Sequence, residues 1–394
     1  FLDFYRIAGG ERGDRIFKNS GDGTFADVTE RAGGVMNDFP TEGGAWADYD
    51  NDGFIDLYLA NYEDWEKHEY WPDQLWKNEN GRTFSEISRG AGMVPPFEED
   101  RAGRGVNWGD YDNDGDLDCY VSNYRLQENF LWKNNGDGTF TNVACLLGVA
   151  GDEVDGWWGH TIGSEWGDYD NDGDLDLVTA NLAHPRYIEF SNKTKLYENL
   201  GPPDYRFVDR REAIGIKFEE THSDPGWGDV DADGDLDLYL TSVYEGRKSF
   251  LYENLGNGRF RDVTWLAGVR AFDGWGCAFS DYDRDGDLDL FVGSGSGVHL
   301  YRNDTVGRNW LGVKVVGTKS NRAAIGSRIK ATQKGRAQIR EVQGGKGTTS
   351  QHSLTAFFGF GDDPTPVGLE VRFPSGIVKR EKKVELNQIL VVTE

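Results

Sequence analysis

No run of about 18 apolar residues occurs in this chain, so no segment is long enough to cross a bilayer as a helix. Basic residues are in deficit: 42 Lys+Arg stand against 68 Asp+Glu, a formal charge of −26. Nucleic acid and anionic membranes both need a basic surface, so neither is expected as a partner. Cysteine is scarce too. Cys119, Cys145 and Cys277 cannot all pair with one another, and none has the CxxC spacing of a zinc site. Cys119 and Cys277 lie in apolar strand patterns and read as buried free thiols. Helix signals are few, and there is no Ser/His/Asp spacing, phosphate loop or HExxH helix. What is abundant is glycine, at 53 residues, together with 13 Trp, 17 Tyr and 22 Phe, the composition of a turn-rich all-β protein. At 394 residues and 37% hydrophobic content the chain has enough apolar material for a real core.

Self-similarity organises the rest. "DYDNDGFID" at Asp48 returns as "DYDNDGDLD" at Asp110 and Asp168, "DVDADGDLD" at Asp229 and "DYDRDGDLD" at Asp281. A large aromatic precedes each copy by two positions: Trp46, Trp108, Trp166, Trp227 and Phe279. An apolar strand follows each loop, then a strand like "LWKNNGDGTF" at Leu131, then a short "TNVA"-like strand. Four short strands with turns between them make one blade of a β-propeller, which cannot bury both faces alone and must stack radially. Six blades are visible. Phe1, Leu2 and Asp3 match positions seven to nine of the loop, so the first blade is expected to lack its innermost strand. The last blade, ending near Arg302, is expected to lack its outermost one. A closed ring of seven is the expected full count, completed by upstream residues or by another chain.

The loop pattern DxDxDGxxD sets alternating carboxylates on a tight turn, with Gly at position six for the bend and a backbone carbonyl at position seven. An all-oxygen cage of six to seven ligands suits Ca²⁺, not zinc or copper. The expected ligands are Asp48, Asp50, Asp52 and Asp56; Asp110, Asp112, Asp114 and Asp118; Asp168, Asp170, Asp172 and Asp176; Asp229, Asp231, Asp233 and Asp237; Asp281, Asp283, Asp285 and Asp289. Backbone oxygens of Phe54, Asp116, Asp174, Asp235 and Asp287 complete the sets. About five structural Ca²⁺ ions would add ten charges, taking −26 to −16.

These blades resemble the FG-GAP or VCBS repeats of bacterial surface proteins and integrin α-chain propellers. The tail, from "NWLGVKVVGTKSNRAAIGSRIKA" to "VELNQILVVTE", resembles the ASPIC/UnbV domain that follows such propellers. The resemblance implies a calcium-binding propeller over residues 1–307, a small antiparallel β domain over 308–394, and a place outside the cell or in its envelope. Alternating segments such as "WLGVKVVG" and "GLEVRFP" support that reading of the tail from the residues themselves. The tail carries 15 Lys+Arg and 7 Asp+Glu, near +8, which leaves the propeller near −34. Opposite fields on one chain favour docking, within the molecule or head-to-tail between copies.

The connections between blades are irregular and bring Arg104, Trp157, Trp158, His160, Glu219, Glu220 and His222 to the rim opposite the acidic loops. Exposed aromatics beside carboxylates suit a glycan or protein partner at the cell surface or matrix. The function expected is non-catalytic recognition, adhesion or surface assembly, including filaments. The alternative is a lyase- or dehydratase-like carbohydrate enzyme, with His160 or His222 as base and Glu219 or Glu220 as its partner. Asn192 and Asn303 sit in N-x-[ST] sequons and are candidate glycosylation sites.

Overall fold

Each acidic loop reverses the chain between an inner strand and an apolar second strand, and that repeated reversal builds the molecule. The computed structural model describes residues 3–7, 13–35, 39–64, 66–67, 69–95, 99–183, 191–217, 219–305, 307–348 and 350–394. Phe1 and Leu2 lie outside the described residues. Blades two to five are four-stranded antiparallel sheets, and blades one and six have three strands each. Blade three is typical: Gly103–Gly109, Asp118–Asn123, Phe130–Asn134 and Phe140–Asn142 pair in chain order. In blade one, Asp3 Oδ1 accepts the amide of Asn19 at 2.8 Å. Asp56 Oδ1 accepts that of Asn78 at 2.7 Å in blade two, so Asp3 occupies a ninth loop position.

Stacking explains the burial. The second strands Asp56–Asn61, Asp118–Asn123, Asp176–Asn181 and Asp237–Ser242 are buried at every residue, because a neighbouring blade covers each face. Close approach is set by the Trp-Gly pairs before the loops. A Cβ on Gly109 would lie 2.7 Å from the Trp166 ring of the next blade, and one on Gly228 would lie 2.8 Å from Phe279. Asparagines tie the blades together in the same rhythm. Nδ2 of Asn134, Asn199 and Asn254 donates at 2.8 to 2.9 Å to the carbonyls of Tyr49, Tyr111 and Tyr169, each in the preceding blade's acidic loop.

The tail forms two packed sheets. In one, Trp310–Val316 lies between Thr355–Gly359, antiparallel, and Gln388–Thr393, the one parallel pairing of the unit among the described residues. The other is antiparallel, with Arg328–Gln333 between Arg336–Glu341 and Val367–Arg372, and Val378–Val384 at the edge. Leu311, Val313, Ile329, Phe358, Val371 and Phe373 fill the space between them.

Between two of these strands the chain leaves the unit and enters the hub of the propeller. Trp46 N donates to Gly344 O, Val106 N to Gly347 O and Gly347 N to Ser164 O, each at 3.0 Å, and Ser353 N donates to Phe279 O at 3.1 Å. Lys346 Nζ donates to Asp224 Oδ2 at 2.7 Å and to the Pro225 carbonyl, with Glu165 at 3.9 Å. The inner strands of blades two to six are thereby all joined to one "GGKGTTSQHS" segment. Its glycines follow from the fit, since a Cβ on Gly347 would fall 1.6 Å from Asp224 Oδ1. His352 Nδ1 accepts the amide of Phe279 at 2.8 Å, so its Nε2 proton is free to point at Glu165 Oε1, also 2.8 Å away. Burial alone would pull the Lys346 pKa down; Asp224 and Glu165 outweigh it and hold the ammonium charged.

Removing that ammonium leaves two buried carboxylates facing each other. Lys346→Ala is expected to cost about 3–5 kcal/mol of stability, read as a lowered thermal midpoint. Asp224→Asn added to Lys346→Met should restore part of it; an unshifted Lys346→Ala midpoint would show that the plug carries no weight.

Candidate functional site

The acidic loops form five cages in phase with the blades. Position four takes a left-handed backbone, which asparagine tolerates at Asn51, Asn113 and Asn171 (φ 58 to 61°). Ala232 and Arg284 adopt it without that advantage, at φ 54 and 67°. The turn brings carboxylate oxygens of positions one, three and nine within 4.8 Å of one another in Asp48, Asp50 and Asp56. The same holds for Asp110, Asp112 and Asp118, for Asp168, Asp170 and Asp176, and for Asp229, Asp231 and Asp237. In blade six the grouped residues are Asp281, Asp283 and Asp285. The fifth-position residues Asp52, Asp114, Asp172 and Asp233 stand outside those triplets and accept the amide of position seven at 2.9 to 3.0 Å.

In blades three to five the position-seven side chain binds the preceding loop. Asn51 Nδ2 donates to Asp116 Oδ1 at 2.9 Å, Asn113 to Asp174 at 2.5 Å and Asn171 to Asp235 at 2.7 Å, so each loop holds the next. The third-strand residue beside each cage differs in charge. Lys77 pairs with Asp50, and Lys133 with Asp112 and Asp114. Glu198, Glu253 and Arg302 occupy that register in the later blades.

The donor set fits a hard divalent cation. Asp110 Oδ1, Asp112 Oδ1, Asp118 Oδ2, Asp168 Oδ2, Asp231 Oδ1 and Asp281 Oδ2 are buried and accept no hydrogen bond from the protein. A buried carboxylate oxygen without a donor is costly unless something positive meets it. Burial first, and the crowding of carboxylates second, pushes Asp56 up to about 8, Asp168 and Asp229 to about 7, and Asp118, Asp176 and Asp237 well above the ordinary range.

The basic tail sits on this face, so the expected docking occurs within the molecule. Arg372 donates to Asp110 Oδ2 at 2.6 Å, Asn321 Nδ2 to Asp48 Oδ2 at 3.3 Å, and the Gly359 amide to Asp229 Oδ2 at 2.9 Å. Arg328 pairs with Glu341 at 3.4 Å and reaches the Asp110 carbonyl, while the partly buried Arg340 faces Asp229 and Asp168.

The opposite rim is less open than the sequence suggests. Trp157 is half exposed and Trp158 partly buried. The Arg104 guanidinium bonds Glu42 and lies over the Tyr62 and Tyr124 rings at 5.0 and 5.1 Å. Tyr124 packs edge-on against His160, which is buried. Neither tyrosine was singled out from the sequence, although both follow a second-strand Asn and are the first residues past the apolar run. Glu219 and Glu220 both pair with Arg247. His222 corrects the expected rim: it is wholly buried, its Nδ1 2.8 Å from Thr194 Oγ1, and burial followed by the charge of Arg211 pushes its pKa down to about 3. It is no solvent-facing base. The sequons are corrected in the same way. Asn192 is buried, with its amide exchanging two hydrogen bonds with the Asp152 backbone, and Asn303 Nδ2 donates to Val230 O at 2.7 Å as one of the blade ties. Residues 184–190 lie outside the described residues.

The profile of FG-GAP-like repeats matches residues 1–59, 48–121, 110–179 and 229–292, and that of ASPIC and UnbV matches 317–394. The chain belongs to the FG-GAP-like repeat family, with an ASPIC and UnbV domain at its C-terminal side. Cartilage acidic protein 1 of Homo sapiens is 26% identical over 412 residues, covering 96% of this chain and 58% of that protein. The Xenopus tropicalis protein of the same name is 26% identical over 93% of this chain and 57% of its own length. The chain thus spans less than two thirds of the curated relatives it matches. Among solved structures, a lectin of Agrocybe aegerita that recognises terminal N-acetylglucosamine aligns at TM-score 0.43 and 17% identity over 77% of each chain. The exotype rhamnogalacturonan lyase YesX aligns at TM-score 0.36 and 12% identity, over 98% of this chain and 68% of that one.

For this FG-GAP chain the state of His222 is checkable. An unfolded histidine takes up a proton near 6.5, whereas folded His222 refuses one until about 3. Its contribution to stability is therefore complete above pH 6.5 and drains away as pH falls towards 3. By NMR its ring resonances should stay constant from neutral pH to about 4; a midpoint near the ordinary value would contradict the buried assignment.

Proposed function

We propose that this chain is a calcium-stabilised, non-catalytic recognition propeller working outside the cytoplasm, with a glycan or protein as its partner. The observation that supports it most is the set of buried, donorless carboxylate oxygens recurring in successive cages. Three converging carboxylates per cage, joined in this reading by the position-five carboxylate and the position-seven carbonyl, suit the oxygen-rich, irregular coordination of Ca²⁺. External calcium would keep such cages filled, since extracellular modules bind at ~10⁻⁴ to 10⁻³ M. Partner binding falls to the face opposite the cages, because the tail covers the cage face and its plug fills the hub.

A second reading, self-assembly, draws on blade six. Trp275, Phe291, Val298 and Leu300 are 44 to 65% exposed on its three strands, an apolar face of the kind that marks association surfaces.

Calorimetric titration of the chelated protein should give about five sites, and Asp112→Ala should lose one. Each ion at a hundredfold excess over its Kd adds about 2.7 kcal/mol, so chelation should lower the thermal midpoint steeply. An unchanged stoichiometry in the variant would sink the ligand assignment. Sedimentation of the same calcium-loaded sample should show a monomer under the first reading and polymer under the second.

A further inference from the structure

Blade two departs from its neighbours on the face opposite the cages. In blades three and five a second-strand tyrosine closes the seam to the next blade: Tyr120 Oη donates to Val149 O at 2.8 Å, and Tyr239 Oη to Val269 O at 2.9 Å. The residue before the third strand is neutral in blades three, four and five, being Asn129, Thr194 and Ser249. Asn129 and Thr194 each accept the amide that ends the second strand, from Asn123 at 2.8 Å and Asn181 at 3.1 Å. Blade two has Asp73 there. It keeps the amide bond, from Asn61 at 2.8 Å, and draws the tyrosine as well, Tyr58 Oη donating to Asp73 Oδ2 at 3.0 Å.

With Tyr58 turned to Asp73, the seam between blades two and three holds a cavity of about 410 Å³. That volume is within the usual range of small-ligand pockets, about 300–1,000 Å³. The partly exposed Phe39 ring gives it an aromatic wall, with Phe130 and Trp132 buried behind the lining. Its charged lining is Asp73, Glu86 and Asp100 against Arg89, an excess of negative charge beside ring faces. A carboxylate oxygen with one donor still has room for a second, so Asp73 retains acceptor capacity. Rings and carboxylates together attract an organic cation, the rings through their quadrupoles and the acids through charge-assisted hydrogen bonds. A neutral hydroxyl could also donate to Asp73, but only a cation gains in addition from the net negative charge of the lining.

We propose that this cavity binds an ammonium group on a short organic stem, with Asp73 as counter-ion and the Phe39 ring as its aromatic wall. A lysine side chain of a partner protein and an amino sugar share that chemistry. Desolvation in the cavity is consistent with it, since burial pushes the Asp73 carboxyl up to about 7, a cost that a bound cation would relieve. The site stands apart from the cages, so its failure would leave the calcium reading untouched.

The test is a titration of the calcium-loaded protein with Nα-acetyl-lysine amide, D-glucosamine and D-glucose, followed by tryptophan fluorescence and isotope-edited NMR. Saturable millimolar binding is expected for one or both ammonium probes and not for glucose, and the tighter of the two identifies the source. Asp73→Asn should weaken it at least about tenfold, the loss of one charged hydrogen bond. Since Asn129 fills the same place in blade three, that variant should fold, with its melting curve as the check. Asp100→Asn, at a second acid of the lining, should weaken binding several-fold without touching the Asn61 bond. Glucose binding as tightly as glucosamine, no saturation by either ammonium, or full affinity in Asp73→Asn would overturn the proposal.

Discussion

The fold depends on one buried ammonium. Radial stacking brings the inner strands of the blades to a common axis, and two of them carry acids there, Glu165 and Asp224, with 2% and 0% exposure. Two carboxylates in so little solvent would either repel or take up protons. Lys346, delivered from the tail on a glycine-flanked segment, supplies the opposite charge and leaves both paired. The segment's backbone then joins hydrogen bonds with the inner strands of blades two, three, four and six. A ring whose first and last sheets have only three strands is thus held at its centre as well as along its seams.

The same opposition of charge works on a larger scale. The propeller concentrates its carboxylates in the loops on one face, and the tail sets Arg328, Arg336, Arg340 and Arg372 over them. Position-one aspartates serve two ends at once. Asp229 Oδ2 accepts the amides of Gly234 within its own loop and of Gly359 in the tail, at 3.0 and 2.9 Å. The cage, the local turn and the docking of the tail therefore share atoms. A chain with this arrangement has its cage face and hub committed to its own architecture.

Much of this was legible in the residues. The period of the acidic loop, the aromatic two places before it and the apolar strand after it specify blade, turn and cage together, because each has a local physical cause. Even the opening Asp3 could be placed, and it makes the ninth-position bond. The blade-tying asparagines were visible as the recurring Asn of "LWKN" and "LYEN" but had no meaning until neighbouring blades were side by side. The plug was not readable, since "QGGKGTTSQHS" has neither strand nor helix periodicity and its partners lie more than 60 residues away in sequence. His222 and Asn192 misled for a related reason. The segments that look polar in sequence pack against a neighbouring blade or connection, where Thr194 meets the His222 Nδ1 and the Asp152 backbone takes the Asn192 amide.

Amide hydrogen exchange of the native protein tests the central claim most directly. If the 343–353 segment is the axis of the fold, the Gly347 amide, bonded to Ser164 O, and the Val106 amide, bonded to Gly347 O, should exchange only through global unfolding, at the rate of the slowest core amides. Exchange of those two amides at loop rates, with the second strands still protected, would show that the propeller stands without its plug.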